Sequence, residues 1–586
     1  RGACFEGVGQ VVGTDAVDMV MASLGVLVAL LAIVPTEQRS ADARGAELAG
    51  RAMVPTTDDG GRGGSGRMAA LRSRLVTWAG DPLFWVGLAA AVFGVAARAW
   101  VIDGPMGIPD LDAATVATQA NQCLDGRLGV CCLSQPYGGT PEVALVAGAF
   151  AIGGSNVFML KLVPLVLHVV AVVLCWRVAR RITEDRLARF LAPCFAWVFP
   201  AGMVWNSTKE RGFYGIAIVL AALTMLLALR IDQEDAGPVD VMALGLVAGV
   251  GWWTTPLLAP VALAAGGWVI ARSKPARRRL PILIGSTVVG AAPWLAWNVT
   301  NRWESLTGGR LKGLDWLDGA SAWLRSLGLL SGTATPWDLD RNLLPWWLGA
   351  ALLGLALAVA WRRTRHAVGW FLPGIVIVSG LTAPLNLVLA LSPGAPRYLY
   401  PLVPTLAVVI AVLVPHRRRG GDALWAVGVV ALLASTTVWG LQGMESLAKY
   451  DVPNSFIASP GIERVVRYLE KRGHTVVTTD TAGMQIHFLS GGKIIASSFG
   501  APRVVEFEQL ALAVPETTFV LEDGGLKNAK RLQGWAYFSG TPIAEEVHIG
   551  SYWVISFDQR VTPREAGLVV YGGRPPPEAG GDDAPQ

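Results

Sequence analysis

Charge is scarce in this sequence. Of 586 residues, 16% are charged and 52% hydrophobic, where a soluble chain carries about 25% charged residues. The shortage excludes a disordered chain and an ordinary soluble enzyme, because apolar stretches of roughly 17 to 25 residues, each long enough to cross a bilayer, recur along most of the chain. Cysteine is sparse as well. Six residues cannot build a disulfide scaffold: Cys175 and Cys194 lie in apolar runs as packing residues, Cys4 is uninformative, and Cys123, Cys131 and Cys132 share one polar loop. No convincing fixed-period repeat is present, which argues against a transporter made of parallel duplicated halves and leaves inverted repeats open. The net charge of +5 comes with no basic surface helix or RNA-binding motif, so a nucleic-acid partner is not expected.

What is present is a polytopic pattern. Residues 1–81 form an N-terminal extension, in which Val17–Val34 is an extra span or signal anchor of marginal length, and Pro35–Asp81, with Arg62, Arg67, Arg72 and Arg74 near its end, is a polar cytoplasmic linker. Residues 82–444 read as a transmembrane domain of about eleven spans, twelve if the first run crosses: 82–101, 157–177, 189–206, 212–230, 241–256, 258–271, 280–298, 344–361, 367–391, 399–415 and 423–441. Arginine and lysine collect in every second connection: Arg177 to Arg189, Arg272 to Arg279, Arg362 to Arg365, and Arg417 to Arg419. Cytoplasmic loops are enriched in these residues, so the intervening loops, including 102–156, 207–211, Trp252 to Pro256, 299–343 and 392–398, are expected outside, along with everything after Met444. Residues 445–560 read as a small extracytoplasmic α/β domain, with a helix over Gly461–Arg472 and strands at Thr475–Thr479, Lys493–Ser497 and Thr517–Leu521, and 561–586 as a disordered tail.

The first outside loop concentrates the chemistry. Asp103, Asp110, Asp112 and Asp125 face one base, Arg127, beside a membrane surface where lipid-linked substrates are in reach. A carboxylate there suits a general base that takes a proton from an acceptor hydroxyl; the alternative is that Asp110 and Asp112 cap the helix starting near Ala113. Asp-Leu-Asp is formally a metal-binding spacing, but no His or Cys completes a ligand set, so no cofactor is required and a divalent metal is the weaker reading. Cys123 with Cys131 or Cys132 leaves a disulfide, free thiols or an incomplete zinc site open. Lys161 and His168 lie in or near a span, where ionisable groups are costly.

The loop and its continuation, QPYGGTPEVALVAGAFAIGGSN, resemble the GT-C superfamily of membrane glycosyltransferases, particularly bacterial members related to protein O-mannosyltransferases (glycosyltransferase family 39-like). Those have an Asp-Glu-Ala motif, matched by Asp112 with Ala113 in place of the Glu, then Gln-x-Tyr-x-Gly-x-x-Glu, matched by Gln135, Tyr137, Gly139 and Glu142. WNSTKERGFYG is similar to their Lys-x-Arg-Gly-x-Tyr, matched by Lys209, Arg211, Gly212 and Tyr214, and PRYLYPLVP to their Arg-Tyr motif, matched by Arg397 and Tyr398. The segment FLSGGKIIASS is similar to the family's tail, so the resemblance covers residues 82 to 560. All four polar motifs fall outside the membrane by the independent charge argument.

The resemblance implies a sugar donor carried on polyprenyl phosphate, transfer to an extracytoplasmic glycan, lipid or protein acceptor with inversion, Asp112 as general base, and Asp110 taking over part of the missing Glu's role. Lys209, Arg211 and Arg397 would hold the phosphate leaving group, with snorkelling to the interface as their bland alternative. Gln135, Tyr137, Glu142, Tyr214 and Tyr398 would contact substrate, although interfacial Tyr is ordinary; Trp252 and Trp253 read the same way. The rivals are a lipid-linked sugar flippase, in which Pro164, Pro200, Pro293, Pro373 and Pro384 break helices, and a non-catalytic membrane scaffold, in which Asp112 is dispensable. The excess of Arg over Lys and the abundance of Ala, Gly and Val suggest a GC-rich genome, and a bacterial plasma membrane is the expected setting.

Overall fold

A computed structural model describes residues 81–569, except 134, 234–236, 308–315, 336–337, 383–395, 414–420, 450–458, 501 and 524–526. The run Val17–Val34, the linker to residue 80, Cys4, Pro384, Arg417 to Arg419, and the tail beyond residue 569 lie outside the described residues.

The chain is mostly helical. Among the described residues, four helices are long and apolar enough to cross a membrane: Pro82–Asp103, Val157–Ile182, Tyr214–Gln233 and the stretch Ala423–Ser446; a fifth arises if Leu280–Gly290 and Ala292–Thr300, bent by 60°, count as one. The other expected spans are shorter or interrupted among the described residues. The run expected at 189–206 is split into Arg186–Val198 and Ala201–Asn206 around Pro200, whose ring cannot continue a helix. Pro238–Thr254 has 17 residues, or about 25 Å of rise, less than the hydrocarbon thickness. Trp346–Val368 is long, but its last turns carry Arg362, Arg363 and Arg365.

Tyr214–Gln233 is the axle. In its most apolar window 89% of residues are buried, against 22% for Pro82–Asp103, as expected of a helix that is apolar all round and surrounded by others. Its neighbours, including Val157–Ile182, Pro238–Thr254 and Ala259–Arg272, pack around it in one continuous core with Leu167, Leu220, Leu244 and Val261.

After residue 458 a five-stranded sheet forms. With β1 (Cys131–Cys132) and β2 (Gln135–Gly139) as one small hairpin and β3 (Ala334–Thr335) and β4 (Asp338–Asn342) as another, the sheet strands are β5 (Val476–Thr479), β6 (Ile495–Ser498), β7 (Thr517–Glu522), β8 (Glu545–Ile549) and β9 (Tyr552–Phe557). Their order is β6-β5-β7-β9-β8, parallel across the first three and antiparallel across the last. Alternating side chains send Val520 and Val554 to one face, under the helix Ile462–Arg472, and Phe519, Leu521, Ile555 and Phe557 to the other, under Asn528–Ser539.

This sheet unit is seated on the first loop. Met484, Phe488 and Val504 join the main core. The Phe488 ring stacks on Phe150 at 6.3 Å, and Gln485 Nε2 donates to the Pro109 carbonyl at 3.3 Å.

Candidate active site

The site begins at a helix start. Asp110, extended after Pro109, is the N-cap of Leu111–Leu124, and its Oδ1 accepts from the Ala113 amide at 3.0 Å, the bond for which Asp is favoured there. Two residues on, Asp112 lies in the first turn, where the helix dipole favours a carboxylate. One turn of chain therefore presents two carboxylates in opposite situations.

Asp110 is wholly buried. Its Oδ2 accepts from Arg211 Nη2 at 2.6 Å and pairs with Lys209 Nζ at 3.5 Å. Burial alone would raise this carboxyl, but Arg211 and Lys209 outweigh it and hold it below the usual carboxylate range. Asp112 keeps 19% of its side chain exposed. Its Oδ2 faces Arg397 Nη1 at 3.3 Å and Arg211 Nη1 at 3.5 Å, while Oδ1 faces Arg503 Nη2 at 4.0 Å.

The basic residues are braced from behind. Lys209 Nζ donates to the Ile108 carbonyl at 2.6 Å, and the Arg211 guanidinium lies 4.6 Å above the buried Trp205 ring, a contact worth about 2 kcal/mol when desolvated. Gly212 adopts φ +85°, the left-handed region a side chain resists, and so turns the chain from these cations into the axle helix. Arg397 lies on a 3-10 turn, Pro396–Leu402, donates to the Tyr398 hydroxyl at 3.1 Å, and is 5.8 Å from the Tyr214 ring.

Asp110, Asp112, Lys209, Arg211, Tyr214, Arg397 and Tyr398, read from three separate stretches of sequence, thus form one cluster. Tyr137 stands edge-on to Phe213 at 6.1 Å, next to it, and Gln135 opens β2 opposite Cys132. Glu142 takes another position: it is fully buried, accepts from the Ile216 amide at 2.8 Å, and lies beside the side chain of Glu210, itself buried and accepting from the Gly212 amide. Burial raises both carboxyls, Glu210 well above its ordinary value with Glu142 beside it. Cys123, Cys131 and Cys132 form no disulfide with one another; the Cys132 Sγ instead points to the Gly139 carbonyl at 3.2 Å. Trp253 is structural, donating to the Val130 carbonyl at 3.0 Å. Lys161 donates to the Gly107 carbonyl, and His168 stacks on Trp197 at 5.8 Å.

Arg503 and Glu210 were not singled out by sequence. Glu210 lay inside a matched motif at a variable position. For Arg503 one signal existed: the tetrapeptide Gly-Ala-Pro-Arg occurs at 394–397 and again at 500–503, and both arginines reach Asp112.

Residues 142–297 match the family described as dolichyl-phosphate-mannose-protein mannosyltransferase. No curated protein matches the sequence. Among solved structures, ArnT from Cupriavidus metallidurans bound to undecaprenyl phosphate is similar with a TM-score of 0.50 at 12% identity, covering 80% of this chain and 98% of that one. The oligosaccharyltransferase AglB from Archaeoglobus fulgidus, in complex with an inhibitory peptide and a dolichol-phosphate, gives a TM-score of 0.40 at 14% identity, over 78% and 71% of the two chains. The segment match and the likeness of fold to ArnT agree with the resemblance that the loop motifs carry.

Proposed function

We propose that the protein transfers a sugar from a polyprenyl-phosphate donor to an acceptor outside the cytoplasm of a bacterial cell, with the shorter apolar helices completing the expected crossings of the plasma membrane. The observation that carries this reading is the division of labour at Asp112: one oxygen is held by Arg211 and Arg397, while the side chain stays partly open beside them. Asp112 takes the proton of the acceptor hydroxyl as that oxygen attacks the anomeric carbon. The bond from that carbon to the phosphate oxygen breaks on the opposite side, its electron pair leaving with the lipid phosphate, so the configuration inverts. Arg211, Arg397 and Lys209 stabilise the departing phosphate, and Tyr137, Tyr214, Tyr398 and Gln135 line the sugar. Asp110 and Glu142 hold the cations and the turn in place rather than meeting substrate.

The test is release of free polyprenyl phosphate by purified protein in lipid, supplied with a panel of polyprenyl-phosphate sugars and envelope extract as acceptor. Parent activity with a loss of about 100- to 10,000-fold in Asp112→Asn supports the reading. An Asp112→Asn variant as active as the parent defeats the base assignment, and a parent that consumes no donor defeats the transferase.

A further inference from the structure

The 4.0 Å between Arg503 Nη2 and Asp112 Oδ1 is too long for a hydrogen bond. It is the right width for a bridging atom: an oxygen about 2.9 Å from the guanidinium nitrogen and about 2.7 Å from the carboxylate oxygen spans it with an angle near a right angle. Both groups are shielded, at 14% and 19% exposure of their side chains. Arg503 is also aimed, since its Nη1 donates to the Leu133 carbonyl at 3.2 Å at the end of the β1 hairpin. It is delivered by the sheet unit, from the connection between β6 and the helix Val505–Ala513, whose neighbour Val504 is part of the main core.

The two oxygens of Asp112 therefore face different partners. Oδ2 belongs to Arg211 and Arg397, the phosphate side; Oδ1 faces the sheet unit. An oxygen that fills the gap must accept a hydrogen bond from Arg503 and donate one to Asp112, which an O–H group, of an acceptor or of the water it displaces, does and an ionised phosphate oxygen does not.

We infer that Arg503 is a substrate-contacting residue that holds the acceptor hydroxyl against Asp112 Oδ1, so that docking of the C-terminal unit completes the acceptor side of the site. This rests on the transferase reading above. When Asp112 removes the hydroxyl proton, the guanidinium remains on the attacking oxygen and keeps it in line with the anomeric carbon.

The experiment uses the full chain in lipid, with a donor that the parent consumes, envelope extract titrated as acceptor, and undecaprenyl phosphate added as a competitor for the donor site. Arg503→Ala should raise the extract needed for half-maximal rate by about 10- to 100-fold, the loss of one charged hydrogen bond, and leave inhibition by undecaprenyl phosphate unchanged. Arg503→Lys should recover part of the loss. The proposal is overturned if Arg503→Ala saturates with extract as the parent does, if only the undecaprenyl phosphate inhibition weakens, which would put Arg503 on the phosphate side, or if Arg503→Ala and Arg503→Lys fail equally with a lowered Tm, which would make the residue a structural bolt. A parent inactive on every donor sinks the transferase reading itself, whereas an active parent with an unaltered Arg503→Ala variant sinks this inference alone.

Discussion

Replacing Asp110 by Asn separates the charge of this buried group from its shape. Asn caps a helix about as well as Asp, so the bond from the Ala113 amide survives. What is lost is the negative charge facing Arg211 at 2.6 Å and Lys209 at 3.5 Å, two side chains with 0% and 1% exposure. Removing one partner of a buried ion pair costs about 3 to 5 kcal/mol, because the remaining charge has neither water nor counter-ion; here Lys209 loses its carboxylate while Arg211 keeps Asp112 at 3.5 Å, so the lower half of that range is expected. The assay is thermal unfolding in detergent, comparing parent, Asp110→Asn and Asp112→Asn across pH. At pH 7 Asp110→Asn should melt well below the parent and below Asp112→Asn, whose carboxylate is partly hydrated. The pH dependence has a definite sign. The native Asp110 carboxyl is held below its unfolded value of about 3.9, so its contribution is complete above that pH and disappears as pH falls through the native value. The gap between parent and Asp110→Asn should be constant from pH 7 to about 5 and close below about 4. Equal melting of parent and Asp110→Asn at pH 7 would refute the account of this ion cluster.

The Glu142–Glu210 pair has the opposite sign. Both native carboxyls are raised, with burial the largest cause, so their contribution is present below the unfolded value near about 4.3 and is lost as pH rises through the native values; Glu210→Gln should flatten the decline in parent Tm as pH rises above that value, and an unchanged profile would count against this account. Phe488→Ala removes the ring stacked on Phe150 from a side chain only 6% exposed. It should destabilise the seating of the sheet unit by about 3 to 5 kcal/mol, seen as faster amide exchange in Gly483–Leu489, with exchange equal to the parent's as the contrary result.

What the sequence disclosed was local. Asp before a helical run marks an N-cap, and this holds for Asp110, with Asp112 following it in the first turn. The different burial of the two was illegible, because it depends on how Lys209 and Arg211 enclose Asp110 and leave Asp112 partly exposed, and Arg211 is 101 residues from Asp110. Hydropathy runs counted crossings without seeing that proline and a 60° bend cut several of them short. The neighbourhood of Glu142 and Glu210, 68 residues apart, is one that no spacing rule encodes. Arg503 is the clearest case. Nothing in its own neighbourhood distinguishes it from a surface arginine, and it acquires significance because Phe488, Met484 and Val504 bury apolar area against the first loop and carry the guanidinium to Asp112. The repeated Gly-Ala-Pro-Arg gains meaning in the same way: one copy opens the 3-10 turn Pro396–Leu402 and the other precedes the helix Val505–Ala513, and both arginines face the one carboxylate of Asp112.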